Sequence, residues 1–337
     1  MLTKTWIDKI LATLPQLSIA VLGDLFLDQY LELDDNLTES SLETGLPAYQ
    51  VTRVRSQPGA AGTIINNLVA LGVGRVTPIS IMGDDGTGYE LRKALFQMPA
   101  VDLTHVRISP RRCTPTYTKP MLHTRGVPAR ELNRLDIKNR TPTPPHLVVQ
   151  ILRSLELEWE RNSAWIVLDQ VSEDDCGVVT REVRQRLAEL ARGDPRLFVL
   201  ADSRERIAEF QDVCLKPNEI EAVDLARLRQ RTSRPIFVTR GELGIHLYLP
   251  ESTTPIEVPG YPVSGPVDPV GAGDSVSAGI ACAIAAGSDW CQAAAFGNLV
   301  ASITVQQIGT TGTATPEQVR QRWDEVSAGM TQTRYGD

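Results

Sequence analysis

Residues 146–201 read HLVVQILRSLELEWERNSAWIVLDQVSEDDCGVVTREVRQRLAELARGDPRLFVLA. Two helical patterns, near 146–160 and 179–192, alternate here with two short apolar runs, Trp165–Leu168 and Leu197–Ala201. The runs are apolar throughout rather than alternating, as expected of strands covered by helices on both faces. Working outward, the same alternation recurs. Further strands are expected at Ile19–Leu22, Val76–Ile81 and Ile236–Thr239, and further helices near 61–72, 87–97 and 219–230. The pattern predicts an α/β fold with a doubly wound, largely parallel sheet.

Two stretches interrupt the alternation. Residues 30–57 and 107–136 are polar, rich in Thr and Pro, and carry short strand-like pieces. Loops of that length are uncommon in compact domains and are usually functional, so a small β-layer over one end of the sheet is expected there, with plain surface loops as the alternative. Arg140–Pro145 reads as a stiff linker back to the main body. Trp6, Ile10, Leu11 and Leu14 are spaced for an amphipathic helix at the start of the chain. Near the end, Thr315, Pro316 and Gln318 form a helix-start signature. Between Gly271 and Gln307 the chain is dense in Ala, Gly and Ser, which suits closely packed helices.

The bulk numbers narrow the function classes. A net charge of −7 with scattered Lys and Arg argues against a nucleic-acid partner. Five cysteines without a C-x-x-C pair indicate reduced thiols and a cytoplasmic setting. The start of the chain lacks a long apolar run, and Ala278–Gly287 is too short to span a bilayer, so no membrane partner is expected. The four histidines are widely separated, and no P-loop, His-Glu-x-x-His or Gly-x-Ser-x-Gly pattern occurs.

The segment with the most chemistry is Asp268-Pro-Val-Gly271-Ala272-Gly273-Asp274-Ser-Val-Ser-Ala-Gly279. A Gly-x-Gly turn feeding a helix points successive N–H groups at one place, and the helix start adds positive potential. Asp274, in the first turn, is expected to be ionised and able to take a proton from a hydroxyl while the amides hold a phosphoryl group. Phosphoryl transfer needs little more than positioning and charge stabilisation. On spacing alone, an acidic helix-start residue after an ordinary glycine turn fits equally well.

This segment resembles the C-terminal signature of the ribokinase-like (PfkB) carbohydrate kinases. Their N-terminal signature is similar to Pro58-Gly59-Ala60-Ala61-Gly62-Thr63 running to Leu71-Gly72. Gly23-Asp24 with Asp28, Gly83-Asp84-Asp85, Lys216-Pro217-Asn218-Glu219 with Glu221, and Val238-Thr239-Arg240-Gly241 with Gly244 follow in family order. Within the family, Gly23–Tyr30, Thr116–Lys119, Asn133–Asp136 and the tail at Ile308-Gly309-Thr310 look most like bacterial heptose-phosphate kinases of the ADP-heptose pathway.

The resemblance implies a ribokinase-like three-layer α/β/α fold over 1–337 as a single domain. A central, mostly parallel sheet would carry a small β-lid from segments 30–57 and 107–136, and in the family the lid often supplies a dimer contact. It implies ATP and Mg²⁺ as cofactors and a sugar or sugar phosphate as the small-molecule partner. Asp274 would be the base, and the amides of Gly271, Ala272 and Gly273 the anion hole. Asn218 and Glu221 would place Mg²⁺ through water. Thr239, Gly241 and Gly244 would line the nucleotide, with Asn298 near the adenine. Asp24 would accept hydrogen bonds from substrate hydroxyls, joined by Asp28, Gly59, Ala60 and Thr63, with Lys119 and Arg134 (and Arg112) from the lid. A monovalent cation near Asp268 assists some relatives.

The substrate half departs from the pattern. Ala60 stands for a Gly, Thr63 for a substrate-contacting Asn, and Pro269 for a Thr. Asp169–Gly177 is acidic and lacks a Lys that the heptose-phosphate kinases carry there, which would weaken binding of a phosphorylated sugar. A kinase of a nucleoside or other small alcohol, or a non-catalytic sugar or nucleotide sensor, are therefore the alternatives.

Overall fold

The computed structural model describes residues 2–332. Nine strands form the main sheet in the order Ile256–Val258, Ile245–Tyr248, Ile236–Thr239, Cys214–Leu215, Phe198–Ser203, Ala164–Asp169, Ser18–Gly23, Arg75–Gly83 and Val106–Ser109. From Ile236–Thr239 to Val106–Ser109 every pairing is parallel, and the other two edge pairings are antiparallel. Chain order reverses at Ser18–Gly23, which lies between Ala164–Asp169 and Arg75–Gly83. In open α/β sheets, ligands bind beyond the carboxyl ends of the strands at such a reversal.

Adjacent strand residues serve opposite layers. Ile19, Val21 and Ile166 pack under helices Lys4–Thr13, Ala61–Leu71, Ala272–Ala285 and Trp290–Thr304. Ala20, Leu22, Trp165 and Val167 pack under Pro145–Glu158 and Arg181–Gly193. Both faces of the central strands are thus dry, which is why their sequences are apolar without alternation. The small residues also have a packing role: a Cβ on Gly279 would lie 2.8 Å from the Cα of Gly297, so the last two helices of this layer touch backbone to backbone. Among the described residues no helix is long and apolar enough to cross a membrane.

A second sheet covers the carboxyl end. Leu25–Asp34 is its centre, antiparallel to Val51–Ala60 and parallel to Thr116–His123, which also carries Arg130–Glu131 and Leu135–Ile137. It begins at Leu25 rather than near residue 30, directly after the first main strand. Its second segment begins at Thr116 rather than 107, because Val106–Ser109 is taken into the edge of the main sheet. The 140–145 linker is clamped, not free. The guanidinium of Arg112 donates to the Thr141 carbonyl at 2.8 Å, and the Thr143 hydroxyl donates to that of Gly177 at 2.7 Å.

One expected helix shrinks. Helix 219–230 is observed only as Leu225–Arg231. The Asn218 side chain accepts the amides of Ile220 and Glu221, each at 2.9 Å, but residues 219–224 stay in turns, and the helix starts where the Asp224 carboxylate accepts the Arg227 amide at 2.9 Å. The final helix, Pro316–Gln332, starts at the expected capping box: Gln318 Oε1 accepts the Thr315 amide at 2.8 Å, and Thr315 Oγ1 accepts that of Gln318 at 3.3 Å.

The start of Ala61–Leu71 stores strain. Its N-cap Ala60 has φ 52° and ψ −119°, a conformation that glycine adopts readily and a Cβ opposes. Ala60→Gly is expected to raise unfolding free energy by about 1 kcal/mol, less the entropy that glycine gains in the unfolded chain. Urea denaturation would measure it, and a lower midpoint for the variant would show that Ala60 is not strained.

Candidate active site

The glycine turn sits at the carboxyl end of the sheet. Gly271 is left-handed (φ 79°) and caps helix Ala272–Ala285. Of the three amides expected to form an anion hole, that of Ala272 is committed to the Pro269 carbonyl at 3.1 Å. Those of Gly271, Gly273 and Asp274 make no backbone hydrogen bond among the described residues. The donors left at the helix start therefore include the amide of Asp274 itself, one residue later than the motif indicates. Such a nest favours an anion.

Asp274 is half-buried, and no hydrogen bond reaches its carboxylate among the described residues. Desolvation, and next the nearby Asp202 carboxylate, push its pKa up to about 7, while Lys216 and Arg204 pull it down. This differs from the sequence-based expectation of an ordinary ionised helix-start carboxylate. Lys216 stands in the Lys-Pro-Asn-Glu motif, and the sequence attaches no role to it. Its ammonium is buried, 2.7 Å from Asp202 Oδ2, and 3.6 Å from the point where a Cβ on Gly273 would stand. Burial opposes its charge, but Asp202, Asp274 and Glu221 more than offset that, so its pKa is raised. A fixed cation thus stands beside the nest. Asp202 gave one sequence signal: it lies at the carboxyl end of a central parallel strand, where ligand groups collect.

The substrate end is arranged differently from expectation. Asp24 is buried and already engaged by backbone amides. Its Oδ1 accepts the Val178 amide at 2.7 Å, its Oδ2 that of Gln170 at 3.4 Å, and a Cβ on Gly177 would lie 2.8 Å from Oδ1. Desolvation, and next Asp169, push its pKa to about 7. Segment 170–178 folds back on it and is held from below by two buried guanidinia. Arg206 binds Asp169 through two nitrogens at 2.7 and 3.1 Å, and Arg112 donates to Cys176 O. Arg206 also lies 3.6 Å from Asp174 Oδ1, so it answers part of the acidity of that segment, while Asp175 accepts the Arg181 amide at 2.7 Å.

Asp28 is the carboxylate of the second sheet whose charge is felt at Asp274. Its charge raises the pKa of Asp274, and its own pKa is raised by burial against the pull of Lys119 and Arg134. A Cβ on Gly59 would lie 2.5 Å from Asp28 Oδ2, so only glycine admits that carboxylate. Lys119 reaches Asp28 Oδ1 at 3.9 Å and the Tyr30 hydroxyl at 3.3 Å. Arg134 lies over the Tyr117 ring and pairs with Asp136 at 2.7 Å. Thr63 does not occupy the position of a substrate contact. It is buried, its methyl 3.2 Å from where a Cβ on Gly271 would be, and it braces the nest from beneath.

At the other end, Thr239 bridges to Asn218, and its hydroxyl lies 3.5 Å from the Pro217 carbonyl. Gly241 (φ 56°) has open space where a Cβ would be. Gly244 (φ 92°) is pressed against the backbone of Val258–Gly260, so its missing side chain serves strand packing. Asn298 is likewise committed, donating to the carbonyls of Val258 and Pro259 at 3.1 and 3.0 Å. It braces this wall and offers no free amide donor to a base.

For Mg²⁺, Asn218 Oδ1 is engaged by two amides, and Glu221 Oε2 accepts the Asn218 amide at 2.8 Å. The other Glu221 oxygen has no partner among the described residues, which fits a hydrated ion rather than direct chelation. A monovalent cation fits Asp268 poorly: Oδ1 accepts the Val270 amide at 3.1 Å and Oδ2 that of Gly309 at 3.0 Å.

Residues 206–318 match the profile of the pfkB family carbohydrate kinases. The chain is 28% identical over 331 residues to the bifunctional protein HldE of Geotalea uraniireducens, and 29% identical over 322 residues to that of Trichlorobacter lovleyi. These matches cover 93% and 90% of this chain but only 64% and 62% of those proteins. Among solved structures, Arabidopsis thaliana ribokinase complexed with ribose and ATP superposes with a TM-score of 0.65 at 17% identity, covering 91% of this chain and 98% of that one. The Methanocaldococcus jannaschii nucleoside kinase gives 0.62 at 18%, covering 91% and 98%. Residues 206–318 are thus similar to the pfkB family carbohydrate kinases, and 91% of the chain carries the fold of the ribokinase structure.

Proposed function

We propose that the chain transfers the γ-phosphate of ATP to a hydroxyl of a sugar or sugar phosphate, with Asp274 as general base. The observation that carries this is the juxtaposition of an unbonded, desolvated carboxylate, a nest of free amides and the buried Lys216 ammonium at one helix start. The acceptor hydroxyl is held by Asp28 and gives its proton to Asp274 as its oxygen bonds to phosphorus and the bond to the leaving diphosphate breaks. Charge on the moving phosphoryl group is met by the nest and by Lys216, both fixed before substrate arrives. Asp202 keeps the ammonium in place. Mg²⁺, held through water at Glu221, would supply charge neutralisation on the nucleotide phosphates.

A heptose phosphate is the first candidate acceptor, on the likeness to HldE proteins. A nucleoside or other small alcohol is the second, favoured by the buried Thr63, which has no carboxamide to donate where the family carries Asn. The lid exposes Val51, Val54, Leu135 and Ile137, the apolar surface that a homodimer through the lid would bury.

Asp274→Asn is expected to lower turnover about 10²- to 10⁴-fold while ATP binding stays within a small factor, because the nest remains. ATP consumption with Mg²⁺ across sugars, sugar phosphates and nucleosides reads the first, and calorimetry the second. Substantial residual activity would remove Asp274 as the base.

The pH dependence has a definite sign. The base works ionised, so kcat/KM should fall as pH drops through about 7. Stability goes the other way. The folded value lies above the unfolded one near 3.8, so protonation favours the folded state, and a penalty for charge builds as pH rises from about 4 to 7. Asp274→Asn should therefore raise Tm more at pH 8 than at pH 4. An equal shift at both would mean that the carboxylate titrates normally.

A further inference from the structure

We infer that Gln57 is a positioning residue that sets the phosphate nest from the lid, acting through Thr310 and Thr311. Gln57 stands directly opposite Asp28 in the antiparallel lid register. Opposed residues of such a pair share one face, so the substrate carboxylate and this carboxamide leave the lid on the same side. Gln57 Nε2 donates to Thr311 Oγ1 at 3.2 Å, and its Oε1 accepts from Thr310 Oγ1 at 3.0 Å. Among the described residues it is the lid side chain hydrogen-bonded to the 305–313 segment.

Two routes lead from there to the nest. The first is steric: Thr311 Cγ2 lies 3.2 Å from where a Cβ on Gly271 would be, so it walls the left-handed residue that opens the turn. The second is polar: Gly309 donates to Asp268 Oδ2, and Asp268 Oδ1 accepts from Val270, the residue before Gly271. Elsewhere the segment is tied to the body. Gln307 holds both backbone groups of Thr313, at 3.2 and 2.6 Å, and Asn67 donates to the Gly312 carbonyl at 3.4 Å. The segment is therefore fixed at its far end by the body and at Thr310–Thr311 by the lid.

The consequence concerns geometry. Amides stabilise a moving phosphoryl group only when aimed at it, and misplacement by about 1 Å costs about 10²-fold. An acceptor sugar engaging Asp28 acts on the strand beside Gln57, so its binding is transmitted to the nest without touching it. This inference rests on the kinase reading for its kinetic arm only.

The test compares Gln57→Leu, which keeps the shape and removes both hydrogen bonds, with Gln57→Glu. The carboxylate of Gln57→Glu still accepts from Thr310, and also from Thr311 once that hydroxyl turns to donate. Gln57→Leu should lower kcat about 10- to 100-fold with ATP affinity within about threefold of wild type, and Gln57→Glu should recover most of it. Adding Thr310→Val to Gln57→Leu should cost little more, as expected for one coupled unit. Amide hydrogen exchange across 268–274 should also quicken in Gln57→Leu and not in Gln57→Glu, with no acceptor needed. Wild-type kcat and wild-type exchange in Gln57→Leu would overturn the inference, as would Gln57→Leu and Gln57→Glu being equally impaired. If the wild type phosphorylates nothing, the kinase reading has failed, and the exchange comparison still decides whether Gln57 orders the nest.

Discussion

One buried ammonium, that of Lys216, lies between the Asp202 carboxylate and the glycine turn, and the rest of the site is built around that charge. A buried cation without a partner is costly, and Asp202 at 2.7 Å meets that requirement. The partner has a second effect. By occupying Lys216, Asp202 leaves Asp274 only partly compensated, and its own charge adds to the desolvation that holds Asp274 near neutrality. One ion pair therefore supplies both a fixed positive charge for an anion and a carboxylate ready to accept a proton. It depends on strand ends that meet only when the parallel sheet is formed, since Asp202 and Lys216 leave adjacent strands.

Much of the architecture was legible because burial on both faces leaves a simple mark. Ile19–Leu22 and Trp165–Leu168 send alternate side chains into opposite cores, and both cores are dry. Cys214–Leu215 and Ile256–Val258 left no such mark, being too short for a pattern, and Ile245–Tyr248 alternates as a strand with one wetter face. Helix 219–230 offers two capping residues, Asn218 and Asp224, and the structure starts the helix at the second, where the Asp224 carboxylate accepts the Arg227 amide. The boundaries of the lid were unclear because its first strand follows the main strand after a single residue, Asp24, with no turn signal between them.

In the site, residue types were legible and their partners were not. Gly59, Asp28 and the 271–274 turn are places where backbone or carboxylate approach sets the residue, and the motif captures that. Asn298 and Gly244 look like ligand positions in sequence, yet each meets neighbouring backbone, the wall at Val258–Gly260. Thr63 is similar, since its side chain fills space beneath Gly271. Whether a side chain faces ligand or backbone depends on segments far away in the chain, and single-sequence spacing does not carry that information.

Asp24 and Asp274 make the distinction sharp. Burial pushes both up to about 7, and each has a second carboxylate nearby. A perturbed carboxylate in a cleft is a fair pointer to function, but the two are engaged differently by the chain around them. Each Asp24 oxygen already accepts an amide, from Gln170 or Val178, so its burial ties a loop to the sheet. The oxygens of Asp274 are filled by nothing in the described chain, and amides without a backbone partner lie beside it in sequence. The perturbation alone says only that ionisation is disfavoured. The unfilled hydrogen-bonding capacity at Asp274 is what distinguishes it from Asp24.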